Sequence, residues 1–130
     1  MKKIKLSFEE YYTKSFSNLI TKTIYTINNK QINKESFFKS LIVKTNEVNK
    51  LNGRFFFVGN GASCAFSNHM ALDWSKNGKI KSFSLSDSSL LTALSNDISY
   101  EDAFSKYLEI YDFNKNDFVI AIVVAEIVII

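Results

Sequence analysis

The sequence predicts an α/β fold with a parallel sheet covered by helices on both faces, and three observations lead there. Arg54 to Val58 is a short, continuous apolar run of the kind that forms strands buried on both sides. Two more strand-like runs, Lys79 to Leu85 and Asp117 to Ile122, alternate with segments of helical periodicity. That βαβ alternation gives right-handed crossovers and a parallel sheet. Between the first run and the helix after it stands Gly59-Asn60-Gly61, a sharp glycine turn.

Taken in order, the first element is an amphipathic helix from Ser7 to about Asn28, with Phe8, Tyr12, Phe16, Leu19, Ile20, Ile24 and Ile27 at helical spacing. Such a helix, outside the sheet, suits packing on a partner subunit. A second helix is expected over Asn33 to Asn49, with Phe37, Phe38, Leu41, Ile42 and Val48 inward and Leu51-Asn52-Gly53 as its stop. The first strand, Arg54 to Val58, leads through the glycine turn into a helix from Ala62 to Lys76, closed by Asn77-Gly78. Lys79 to Leu85 is the second strand, Ser88 to Ser95 and Tyr100 to Tyr111 are helices, and Asp117 to Ile122 is the third strand. Residues 1–52 thus form a helical N-terminal segment and 53–122 an α/β core, within one domain spanning 1–130.

A chain of 130 residues, 46% hydrophobic and 22% charged, fits one globular domain or part of one. The net charge of +3 comes from lysines spread along the chain, with no basic stripe to suggest nucleic acid. Cys64 is the only cysteine, which suits a reducing cytoplasm and a packing role. The opening MKKIKLSFEEYY has no apolar run of an export signal. The most apolar segment, Phe118 to Ile130, is 13 residues and carries Glu126. A bilayer span needs roughly 20, so no membrane is expected.

The candidate chemistry sits in FFFVGNGAS and the helix that follows. Gly59 and Gly61 let the backbone turn and present bare N–H groups, and the positive end of the helix dipole favours an anion. Asn60 and Ser63 can add side-chain hydrogen bonds. His69 and Asp73 are four residues apart, so a helix places them one turn apart on one face, able to share a ligand. Each piece also has a plain reading: the glycine pair as a common turn, the His/Asp pair as a surface ion pair. Ligands of parallel sheets sit at the carboxyl ends of the strands, where Gly59 to Ser63 and Ser86 to Ser89 both fall.

With VGNGAS, NHMALDW, SLSDSSLLTALSND with its following YEDAF, and NDFVIAI laid out in this order, the chain resembles the sugar isomerase (SIS) domain family, in its phosphoheptose isomerase branch. The resemblance runs from the N-terminal helix to Ile122. It implies a three-layer α/β/α fold, flavodoxin-like or Rossmann-like, incomplete here at the C-terminus. It implies a cytoplasmic homotetramer that interconverts sedoheptulose 7-phosphate and D-glycero-D-manno-heptose 7-phosphate for lipopolysaccharide or capsule heptose. By the resemblance, Asn60, Gly61, Ser63 and Asp87 bind substrate, His69 is a zinc ligand, and Asp73 both ligates zinc and acts as the base. Better-known members carry glutamate where Asp73 stands. Aspartate is shorter by one C–C bond, roughly 1.5 Å, which matters for a base that must meet its proton within hydrogen-bond reach. A glutamine and a histidine that complete the family's metal site come from a later segment.

After NDFVIAI the family continues with a phosphate loop resembling SSSGNS, whereas this chain has VVAEIVII, Val123 to Ile130. Codons for VVAEIVII can be chosen so that a reading one base out of register encodes SSSGNSNN. A one-base frameshift is therefore the expectation for this tail, a genuine strand extension being the alternative. The functional alternatives are a non-catalytic phosphosugar- or protein-binding SIS module and an inactive truncated product. Retention of both His69 and Asp73 favours catalysis, since a binding module needs neither.

Overall fold

The computed structural model describes residues 7–123, apart from the side chain of Ile20. The proposed frameshifted tail therefore lies, beyond Val123, outside the described residues. The chain falls into two compact units, Met1–Val43 and Lys44–Ile130.

In the first unit, helix α1 spans Phe8–Thr21. Ser7 starts it with a reciprocal capping box: Glu10 N–H donates to Ser7 Oγ at 3.2 Å and Ser7 N–H to Glu10 Oε2 at 2.8 Å. The helix expected to reach Asn28 stops early. A hairpin of β1, Tyr25–Ile27, and β2, Lys30–Ile32, takes its place, with Tyr25 opposite Ile32 and Ile27 opposite Lys30. The reason is local. Asn28 and Asn29 take φ of 50° and 62°, the pair of left-handed residues that a two-residue type I′ turn demands and that asparagine tolerates. Apolar spacing alone could not see this, because Ile24 and Ile27 fit a helix as well as a hairpin. Tyr25 then packs on Phe37 and Phe38, with ring centroids 5.2 and 5.9 Å away. Those two rings belong to α2, Lys34–Lys50, whose last turns enter the second unit.

The second unit carries a parallel sheet in the order β4-β3-β5, formed by β3 (Phe55–Gly59), β4 (Ser82–Ser84) and β5 (Phe118–Ile122). Central β3 is the most hidden: Phe55, Phe56 and Phe57 are all buried. Because strand side chains alternate, this run feeds two cores. Phe55 and Phe57 face Val48, Ala71 and Trp74, on the side of α3 (Ala62–Lys76). Phe56 faces Leu85 and Tyr107, with Leu90, Leu91 and Leu94 of α4 (Ser88–Asp97) and Phe104 and Leu108 of α5 (Ala103–Ile110). Each buried phenylalanine contributes about 2 kcal/mol. This is the expected three-layer α/β/α arrangement. The second strand is shorter than expected because Lys79 turns left-handed at φ 55°, which delays pairing until Ser82.

The starts of β3 and β5 are tied by one ion pair. Arg54 donates through Nη2 to Asp117 Oδ2 at 2.7 Å and through Nε to Oδ1 at 3.2 Å. Its backbone N–H also reaches Oδ1, at 2.8 Å. The remaining guanidinium nitrogen, Nη1, caps the end of α5 at the Tyr111 carbonyl, 2.7 Å away. Among the described residues no helix is long and apolar enough to cross a membrane.

Candidate functional site

At the end of β3 the chain must leave the sheet and enter α3 almost at once. Gly59 makes this approach possible, since a Cβ there would sit 2.8 Å from the Ser63 backbone. Asn60 to Ser63 then form a tight turn, closed by Ser63 N–H donating to the Asn60 carbonyl at 3.0 Å. Gly61 occupies its second position with φ 54° and ψ −125°, the type II′ geometry that glycine alone adopts without strain. The turn leaves two backbone donors over. Among the described residues the N–H groups of Gly61 and Ala62 have no partner, and no side chain caps the start of α3. Unpaired N–H groups at the positive end of a fifteen-residue helix are the physical form of an anion cradle.

Asn60 is exposed, Ser63 is buried, and both line a cleft of about 310 Å³ at the carboxyl ends of β3 and β5. Val58, Phe104, Ala121 and Ile122 give it an apolar floor. Phe104 was not anticipated from the sequence. Its place in YEDAF two residues after Asp102 gave no sign that the start of α5 turns toward the glycine loop.

Asp87 is elsewhere. Its Oδ1 caps α4 by accepting from Leu90 N–H at 2.8 Å, and the residue lines a second, more open cleft of about 700 Å³ with Ser84, Ser86, Ser89, Tyr107 and Tyr111. The two polar loops thus follow adjacent strands, as expected, but line separate clefts. At the back of the second, burial pushes the Tyr107 phenol above its ordinary value, with the Asp87 backbone N–H working the other way. Ser84 Oγ there is buried without a partner among the described residues.

His69 and Asp73 do meet. His69 Nε2 lies 3.3 Å from Asp73 Oδ2, and Asp73 Oδ1 also accepts from Asn77 Nδ2 at 3.3 Å. Two atoms bound to one tetrahedral zinc at about 2.0–2.1 Å stand about 3.3 Å apart, so the pair suits two corners of such a site. It fits half of one. Both side chains are largely open to solvent, 67% and 42% exposed, and neither lines either cleft. No group of three His, Cys, Asp or Glu able to hold a metal occurs among the described residues.

No family model matches the chain. The phosphoheptose isomerase of Maridesulfovibrio salexigens is 34% identical over 89 residues, covering 58% of this chain and 43% of that protein. The structure of phosphoheptose isomerase GmhA from Neisseria gonorrhoeae superposes with a TM-score of 0.61 at 22% identity, covering 88% of this chain and 60% of the other. The chain is thus similar in sequence to one phosphoheptose isomerase and in fold to another. The structural likeness, at 22% identity, carries the fold alone. The chain spans less than half the length of the curated isomerase it matches and 60% of the structural neighbour.

Proposed function

We propose that this chain serves a phosphosugar isomerase that interconverts sedoheptulose 7-phosphate and D-glycero-D-manno-heptose 7-phosphate, supplying heptose for surface polysaccharide. The observation that carries the reading is the pair of N–H groups at Gly61 and Ala62, unpaired among the described residues, beside Asn60 and Ser63 in a cleft at the strand ends. An anionic, hydroxyl-rich ligand satisfies such donors, and the two isomerase relatives support the choice of a phosphosugar. Asn60, Gly61 and Ser63 hold the substrate, and Asp87, although it lines the separate cleft after the next strand, is assigned a further polar contact. Moving a carbonyl between neighbouring carbons requires removal of the proton between them and its return to the other carbon. Asp73 is the group assigned to that transfer. His69 and Asp73 would hold a zinc ion, with the other ligands from outside the described residues. When bound, zinc would supply Lewis-acid stabilisation of negative charge on a substrate oxygen. The enzyme is proposed to work in the cytoplasm as a homotetramer.

The test is isomerisation of sedoheptulose 7-phosphate with added zinc, comparing the unmutated protein with Asp73→Asn. The variant should lose activity by at least about a hundredfold while still binding the sugar phosphate. Equal activity in both would remove Asp73 as the base. A second reading, a non-catalytic phosphosugar-binding module, has one observation in its favour: the exposed His69–Asp73 pair lines neither cleft. Saturable binding with no turnover in either protein would select it.

A further inference from the structure

The chain contains three asparagine–glycine pairs, Asn52-Gly53, Asn60-Gly61 and Asn77-Gly78. In such a pair the glycine has no Cβ to hinder its own backbone nitrogen from attacking the preceding side-chain amide. What the fold does to each pair differs. Gly53 N–H is held by the Val48 carbonyl at 2.8 Å, Lys81 Nζ donates to Asn52 Oδ1, and a Cβ on Gly53 would run into the Asn116 carbonyl. Gly78 N–H is held by the Asp73 carbonyl at 3.2 Å, Asn77 Nδ2 donates to Asp73 Oδ1 at 3.3 Å, and a Cβ on Gly78 would lie 2.7 Å from the Trp74 carbonyl. At Asn60-Gly61 every one of these restraints is missing among the described residues. Gly61 N–H has no partner, the Asn60 side chain is exposed with no hydrogen bond, and nothing lies within 4 Å of where a Gly61 Cβ would stand.

We propose that Asn60-Gly61 is a site of spontaneous deamidation, a chemical modification the fold suppresses at the other two pairs and permits at the ligand loop. The Gly61 nitrogen attacks Asn60 Cγ and loses its proton. The new C–N bond closes a five-membered succinimide as the Cγ–Nδ2 bond breaks, and the side-chain nitrogen leaves as ammonia. Water then opens the ring at either carbonyl, giving aspartate or β-linked isoaspartate at position 60. No oxidant or second reactant is needed. Either product puts a carboxylate beside the unpaired N–H groups, and the β-linked product also lengthens the backbone of the turn. Resting on the reading of this loop as an anion cradle, conversion removes the ligand site as the protein ages.

The experiment incubates the folded protein in mildly alkaline buffer, with a second sample unfolded in guanidinium, and maps both over time by peptide mass spectrometry with isoaspartate detection. In the folded protein Asn60 should convert at least about tenfold faster than Asn52 or Asn77, since those pairs must first break their hydrogen bonds. In the unfolded sample the three should converge. Conversion of Asn52 or Asn77 as fast as Asn60 in the folded protein would overturn the proposal. So would an intact Asn60 over a period that converts the unfolded chain. A third sample holding sedoheptulose 7-phosphate should convert more slowly at Asn60 alone. No protection there would count against the loop as a ligand site and leave the modification site standing.

Discussion

Replacing Asp117 with alanine should destabilise the second unit by about 3 kcal/mol, and the figure follows from what the carboxylate holds. Its side chain is 1% exposed and accepts from Arg54 N–H, Nε and Nη2 and from Asn114 N–H and Nδ2. Arg54 is 24% exposed, so its freed guanidinium can turn to water, which softens the penalty of leaving a charge unpaired. The two backbone N–H groups, of Arg54 and Asn114, cannot follow it. Each orphaned donor costs about 1–1.5 kcal/mol, which brings the sum to the low end of the roughly 3–5 kcal/mol seen when one partner of a buried pair is removed. In a unit of this size that is a fall in melting temperature of about 15 °C. Urea unfolding gives the direct readout, followed by the fluorescence of Trp74, the sole tryptophan, which packs on Phe55 and Phe57. A loss under about 1 kcal/mol would refute the view that Asp117 clamps the starts of β3 and β5.

The same carboxylate sets a pH dependence. Burial alone would raise its pKa, but hydrogen bonds from the Arg54 side chain, Asn114 N–H and Arg54 N–H outweigh it and hold Asp117 below its ordinary value. A depressed carboxylate stabilises the fold above its unfolded pKa and loses that contribution as pH falls through the folded one. Stability of the unmutated protein should therefore drop in acid below about pH 4, and the Asp117→Ala variant should lack most of that drop; equal acid sensitivity in both would contradict the assignment. Ser67→Ala should be neutral or slightly stabilising in thermal melts, because Ser67 Oγ is buried on α3 with no partner among the described residues. A loss above about 1 kcal/mol would reveal a hydrogen bond at that hydroxyl. Gly59→Ala should cost about 1–3 kcal/mol, since the added methyl meets the Ser63 backbone at 2.8 Å, and should weaken sugar-phosphate binding by moving the turn; unchanged binding would disconnect the turn from the ligand. Asp87→Ala should cost about 1 kcal/mol through the lost α4 cap, and restoration of the melting temperature by Asp87→Ser but not of ligand affinity would separate its two roles.

Much of this architecture was legible in residue order. The run of three phenylalanines before Val58 marked a strand buried on both faces, and the structure uses each ring accordingly, two toward α3 and one toward α5. The helix after the glycine loop was placed at its observed bounds, because its start and its Asn77-Gly78 stop both carry explicit signals. The hairpin at Asn28-Asn29 was hidden by an isoleucine spacing compatible with either structure; only the adjacent asparagines, both able to take positive φ, pointed to it. In the site, sequence spacing was enough to bring His69 and Asp73 together and to put Asn60 and Ser63 in one cleft. It could not tell that Asp87 faces a different cleft, since strand order says which loops are neighbours and not which way a capping side chain turns. The Arg54–Asp117 clamp joins residues 63 positions apart, beyond the reach of any local pattern.

The most direct test of the account is a titration of the protein with sedoheptulose 7-phosphate, followed at the backbone amides by NMR. Saturable shifts centred on Gly61 and Ala62, with Gly53 and Gly78 unmoved, are the predicted result, because among the described residues the first two N–H groups are unpaired and the others are already bonded. Shifts that spare Gly61 and Ala62, or no saturable shift anywhere, would contradict the claim that this loop is the phosphosugar site.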